Sequence, residues 1–207
     1  MEPSFSGKTL LLELEPVILK SSISDKVSKI IGLILEQKNP DDCMDITIQN
    51  IKELIGFSRV MVYRFLKDGS GEVIAETVNK QKNPFLGLRY PQSDIPSQAR
   101  ALYTLNHLRL INDVSSPVYK IISNTNTRLD LTYANLRAVS PTHIQYLKNM
   151  NVASSYSISL IDDGKLWGLI SCHNPIPQNI HHRIQEATLL ICRVMMSGIS
   201  QKLEDIY

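Results

Sequence analysis

The chain has 207 residues, 43% of them hydrophobic, which suits one domain with a full core and short extensions at its ends. Lysine and arginine exceed aspartate and glutamate by two, and a net charge of +2 gives no reason to invoke nucleic acid or an anionic membrane as partner. The apolar runs are far shorter than a bilayer span and the first residues lack the regions of a signal peptide, so the expected location is cytoplasmic.

Residues 8–15 alternate loosely around Leu10, Leu11 and Leu12 and read as a strand ended by Pro16. Asp25 is placed to cap a helix in which Val27, Ile30, Ile31 and Ile34 recur at helical spacing. Lys38-Asn39-Pro40-Asp41-Asp42 stops that helix and starts a second, with Ile46, Ile48, Ile51 and Leu54 apolar and Gly56 at its end. Val60, Val62 and Phe65 then mark a β-run, Asp68-Gly69-Ser70-Gly71 a hairpin turn, and Val73, Ile74 and Ala75 the return strand.

A long connection rich in Asn, Pro and Gly follows. Ser93-Asp94-Ile95-Pro96 reads as a cap with proline in the first turn of a helix reaching about Asn106. Residues 108–111 form a short strand and 112–128 a polar loop of a length that is often functional. Ser140-Pro141 opens another helix through Met150. Residues 152–161 and 165–173 make a second hairpin around Asp162-Asp163-Gly164, and a final helix runs from about Gln178. The order predicts an α+β, PAS-like domain: an antiparallel sheet with helices on one side and a pocket-forming insertion on the other. The three cysteines, Cys43, Cys172 and Cys192, are odd in number and widely spaced. They read as buried, reduced thiols rather than a disulfide or zinc framework.

Four blocks carry a resemblance. Residues 90–100 read Tyr-Pro-Gln-Ser-Asp-Ile-Pro-Ser-Gln-Ala-Arg; residues 136–143 read Leu-Arg-Ala-Val-Ser-Pro-Thr-His and continue through Tyr146 to Met150. Residues 166–173 read Leu-Trp-Gly-Leu-Ile-Ser-Cys-His, and residues 59–65 read Arg-Val-Met-Val-Tyr-Arg-Phe. In this order they resemble the GAF domain of phytochromes, the bacterial, biliverdin-binding branch most of all, over nearly all of residues 20–200. Residues 1–20 then look like the remnant of a preceding PAS domain, residues 21–200 like the chromophore-binding GAF domain, and residues 178–207 like a helix leading to a downstream signalling domain.

The resemblance implies a ligand, biliverdin or a related linear tetrapyrrole (a bilin). Such a ligand needs an apolar slot, cations for two propionates and acceptors for its ring N–H groups. Arg109 and Arg137 fall at the positions the family uses for the propionates, where a planar fork suits a carboxylate. Tyr103, Ser140, Ser155 and Ser157 are candidates to add neutral hydrogen bonds, although alternation of Ser155, Ser157 and Ser159 also fits a plain strand face. Asp94 is placed to cap a helix, and the family adds a backbone carbonyl facing the ring N–H groups and a side chain in the signalling contact. Ile95 and Pro96 complete that motif. His143 is implied beside the rings and His173 at the terminal ring carbonyl, with Tyr63, Tyr90 and Tyr146 around that ring; Trp167 is assigned to core.

Some positions depart from the family. Thr142 stands where many phytochromes carry the bilin-linking cysteine before the histidine, and no cysteine precedes Cys43, so no attachment thiol is recognised. Leu88 stands where the bacterial pattern often has histidine, and Asn151 where it has glycine. The implied function is photosensory: bilin photoisomerisation, a signal passed along the last helix, a histidine kinase in the parent receptor, and a homodimer through helices. The chain itself holds no kinase motif and is read as non-enzymatic. Two other readings stand beside it: a GAF interaction, dimerisation or small-ligand module without bilin, and a thiol reductase, which needs a reactive cysteine.

Overall fold

The computed structural model describes residues 2–6, 9–14, 23–79, 83–122 and 129–204. At the N-terminal end β1 (Glu2–Ser6) and β2 (Thr9–Glu13) form a separate antiparallel hairpin. The second strand follows from the alternation around Leu11. The first has Pro3 and two serines in five residues, a composition that does not read as a strand. Lys8, Glu15 and Pro16, part of the expected strand and its stop, lie outside the described residues, as do positions 123–128 of the polar loop and the last three residues of the expected terminal helix.

Helix α1 (Ser24–Leu35) buries Val27, Ile30 and Ile34. Asp25 does not cap it: Ile23 is the capping position, without a side-chain bond, and Asp25 sits in the first turn, where its charge complements the helix dipole. Helix α2 (Pro40–Ile55) has strong ends. The Asn39 side chain accepts the Asp42 N–H at 2.8 Å, Pro40 occupies the first turn, and Gly56 closes the helix at φ 70°.

The main sheet runs in the order β5-β4-β3-β8-β7-β6, antiparallel at every joint. Its strands are β3 (Arg59–Phe65), β4 (Gly71–Val78), β5 (Arg89–Tyr90), β6 (Leu108–Ile111), β7 (Ser154–Asp162) and β8 (Lys165–Asn174). The two-residue β5 was not expected, since Arg-Tyr before a proline is too short for any period to show. Strand alternation sorts the side chains. Val60, Val62, Tyr156, Ile158, Leu160, Ile170 and Cys172 face α1, α2 and the last helix, and form the principal core. Met61, Tyr63 and Val73 belong to a second cluster on the opposite face.

On that opposite face lie α3 (Ser97–Leu105), α4 (Pro141–Asn149) and the segments that join them. The helix expected from Ser93 begins later. Gln92–Asp94 is a separate 3-10 turn, and Pro96 is the capping residue of α3, so Asp94 caps nothing and its carboxylate is available elsewhere. Helix α5 (His182–Glu204) also starts later than Gln178. Pro175 and Pro177 lie in the preceding segment and disfavour a helical conformation for the residue before each, and Gln178 works as a tie. Its N–H donates to Asn112 O at 2.9 Å and its side chain donates to Ile55 O. Asn151 adopts φ 55°, a left-handed conformation asparagine tolerates, which lets the chain leave α4 for β7.

Candidate functional site

Between the sheet and α3 and α4 lies a cavity in two compartments, of about 580 Å³ and 110 Å³. Asp94, Ala99, Tyr103, His143 and Tyr146 line both and form the partition. The larger compartment reaches Pro96, Arg109, Arg137, Ser140 and Thr142. The smaller reaches Tyr63, Tyr90, Ile95, Ser155, Ser157 and His173. Every residue proposed from the sequence as a ligand contact thus lines one compartment or both.

The placement follows from strand register. Ser155 and His173 are partners across β7 and β8, as are Ser157 and Ser171; Met61 pairs with Ser171 across β3. Counting back by twos from His173 adds Ser171 and Leu169 to the pocket wall, two residues the sequence reading passed over although the period was available. The Tyr63 ring occupies the space a side chain at position 71 would need, a Cβ there lying 2.0 Å from the phenol, so Gly71 is what lets that ring lie against β4.

Phe85 also lines the smaller compartment, and no local pattern points to it. It is held by a buried ion pair. Arg59 and Glu76 meet at 3.0 Å with side chains 6% and 2% exposed. The Arg59 guanidinium lies 3.6 Å over the Phe85 ring, while Glu76 accepts the Phe85 and Leu86 N–H groups at 2.6 and 2.9 Å. Arg100 fastens the next stretch: its Nε donates to Ile95 O at 2.7 Å, its Nη2 donates to Gly69 O, and its guanidinium lies over Phe65.

The two compartments differ in electrostatics. Arg109 donates to Asn135 O at 2.8 Å and Arg137 O at 2.7 Å; Arg137 donates to Ala134 O at 2.9 Å and Thr132 O at 3.2 Å. Among the described residues neither guanidinium forms an ion pair with a carboxylate. Burial and then Arg137 push Arg109 down to about 10, and burial lowers Arg137. Two cations close enough to repel, beside a cavity, favour an anionic ligand. Burial and then Arg109 also lower His143, so its ring is neutral at pH 7. Its ring stacks on Tyr146 at 6.3 Å.

The smaller compartment is a tyrosine cage. Burial raises Tyr63 and Tyr146 to about 12 and raises Tyr90 as well, so all three remain phenols. Tyr146 is hydrogen-bonded with Asp94, which occupies the carboxylate that does no capping, and Tyr103 is hydrogen-bonded with Ser157. His173 Nε2 lies 3.4 Å from Ser171 Oγ. Ser159, in contrast, is turned from the cavity to donate to Tyr103 O at 2.7 Å, and Trp167 packs against the principal core.

The three thiols lie elsewhere. Cys43, Cys172 and Cys192 are buried in the helix-side core, and burial pushes Cys172 and Cys192 well up. Cys172 faces away from the neighbouring His173, as alternation requires. Burial thus disfavours the thiolate of Cys172 and Cys192, the form a thiol reductase needs.

This fold, with a ligand-sized cavity on one sheet face, is that of a GAF domain, and the GAF domain family model matches residues 39–195. The chain is 39% identical over 188 residues to a bacteriophytochrome of Pseudomonas aeruginosa, a match covering 89% of this chain and 26% of that protein. It is 38% identical over 204 residues to the phytochrome-like protein Cph1 of Synechocystis sp., covering 94% and 27%. The wild-type chromophore-binding domain of a Stigmatella aurantiaca phytochrome superposes with a TM-score of 0.89 at 36% identity, over 94% of this chain and 67% of that one. The chain therefore belongs to the GAF domain family, and within it to the GAF domains of bacterial and cyanobacterial phytochromes. It spans about a quarter of the length of these curated relatives.

Proposed function

We propose that this chain is the photosensory domain of a phytochrome-type receptor and holds a linear tetrapyrrole, biliverdin or a close relative, across the two compartments. The observation that carries the reading is the cavity's division of labour: at one end a like-charged arginine pair that forms no ion pair among the described residues, at the other a cage of neutral phenols and a histidine. The larger compartment alone falls within the range of about 300–1,000 Å³ usual for small-molecule sites. A plain interaction module has no use for two half-buried, mutually repelling guanidinium groups beside a cavity.

When bound, a bilin supplies visible-light absorption and isomerisation about a double bond. The chain's own residues supply the rest. Arg109 and Arg137 bind propionates through their remaining N–H donors, while backbone carbonyls hold the guanidinium groups in place. Tyr103, Ser140, Ser155 and Ser157 offer hydroxyls to the same groups. The neutral His143 and the Asp94 backbone carbonyl face the ring nitrogens. Tyr63, Tyr90 and Tyr146, with Ile95 and Pro96, set the shape around a terminal ring, and His173 donates to its carbonyl. Thr142, on the wall of the larger compartment, offers no thiol, and the three cysteines are in the core on the far side of the sheet, so none of them is placed to attach the ligand. Residues 1–20 are proposed as the end of a PAS domain. Helix α5 carries the change toward a downstream domain, a histidine kinase in the parent protein, and α1 and α5 pair with a second copy. The exposed Leu35 and Leu190 on those helices favour such a pairing. Gel filtration of the purified chain mixed with biliverdin tests the binding: pigment co-eluting with protein supports the reading, and pigment that elutes free contradicts it.

A further inference from the structure

Both oxygens of the Glu13 carboxylate, at the end of β2, are engaged by a segment more than a hundred residues away. Oε1 accepts the Leu136 N–H at 2.6 Å and Oε2 the Asn135 N–H at 3.0 Å. The bond between Asn135 and Leu136 is one planar unit, with its N–H and C=O pointing in opposite directions. Its N–H goes to Glu13, and its carbonyl, Asn135 O, accepts from Arg109 Nη1 at 2.8 Å. The peptide is therefore held between an anion on one side and a cation on the other, an arrangement in which each hydrogen bond polarises and strengthens the next. Arg109 Nη2 is fixed one residue further on, by Arg137 O at 2.7 Å. The Glu13 charge also favours the protonated forms of Arg109 and Arg137, against burial and their mutual repulsion.

We infer that Glu13 is a positioning residue for the anion end of the cavity: through the Asn135–Leu136 peptide it aims the Arg109 guanidinium at a ligand carboxylate. The β1–β2 hairpin thereby becomes part of the ligand site without touching the ligand. The inference rests on the bilin reading and concerns how that site is held ready.

The test is a titration of wild type, Glu13→Gln, Arg109→Gln and the double variant with biliverdin and with biliverdin dimethyl ester, whose propionates are uncharged. A glutamine has one oxygen for two N–H donors and no charge, so its peptide loses half its anchor. Glu13→Gln is expected to weaken biliverdin roughly tenfold and to leave the ester nearly unchanged. In the Arg109→Gln background it should add little, because the two residues act in series. Equal loss for both ligands, no loss for biliverdin, or full additivity with Arg109→Gln would each overturn the role given to Glu13. Should Glu13→Gln fail to fold by circular dichroism, Glu13→Asp, which keeps the charge but withdraws it by one methylene, carries the same two-ligand comparison. A wild type that takes up neither ligand overturns the bilin reading itself, whereas a wild type that binds while the variant is indistinguishable from it overturns only Glu13.

Discussion

Arg109 stays charged under opposing pressures: burial and Arg137 push it down, Tyr103 and Glu13 push it up. A ligand carboxylate relieves the first two together, which makes the pair a better anion site than either residue alone. Arg109→Lys keeps the charge but loses the fork that now spans Asn135 O and Arg137 O. Biliverdin affinity is expected to fall by roughly tenfold or more in that variant, read from an absorbance titration; unchanged affinity would show that charge alone suffices. His143 gives a second test. Its folded-state value lies below the ordinary 6.5, so the unfolded chain binds the proton more readily. This residue's contribution to stability is present above about pH 6.5 and is lost as pH falls through the lower folded value. Thermal unfolding of the bilin-free protein should therefore weaken from pH 7 to pH 5, and His143→Gln should reduce that slope. These residues were legible from motif alone. What a motif did not show was Glu13, whose partners lie at positions 135 and 136, or that Asp94 is released from capping to meet Tyr146.

At the scale of elements, Phe85, between β4 and β5, lines the smaller compartment, and its position depends on a charge pair formed between two strands. Arg59 and Glu76 are nearly sealed from solvent. Removing one partner leaves the other buried and unpaired, at a cost of about 3–5 kcal/mol. Arg59→Met is expected to destabilise the domain by about 3 kcal/mol in urea unfolding and to loosen Phe85, weakening bilin retention as well. A variant with wild-type stability would show the pair to be dispensable. The sequence hinted at none of this, because an arginine opening a strand and a glutamate near the end of the next acquire meaning only once register pairs Arg59 with Val78 and Met61 with Glu76. Regular elements were easier to read. The apolar stripe of α2 and the alternation of β7 and β8 are local, and local periods survive without tertiary information. Element ends were harder. Pro96 caps α3 rather than riding in its first turn, and two prolines delay α5 to His182.

Over the whole molecule the sheet separates two jobs. One face, with α1, α2 and α5, holds an apolar core containing all three cysteines; the other carries Ser155, Ser157, Ser171, Tyr63 and His173 to the cavity. Alternation made the two faces legible in β7, where Ser155, Ser157 and Ser159 interleave with Tyr156, Ile158 and Leu160. The two-compartment shape was not legible, because it depends on where the 3-10 turn at Gln92–Asp94 and α4 come to rest above the sheet. The proposed function requires this cavity to hold a photoactive bilin. The most direct test is an absorption spectrum of the purified chain loaded with biliverdin, recorded before and after red illumination and again after far-red. The expected result is a sharpened, red-shifted band that changes reversibly with light. A spectrum matching free biliverdin and unmoved by light would contradict it.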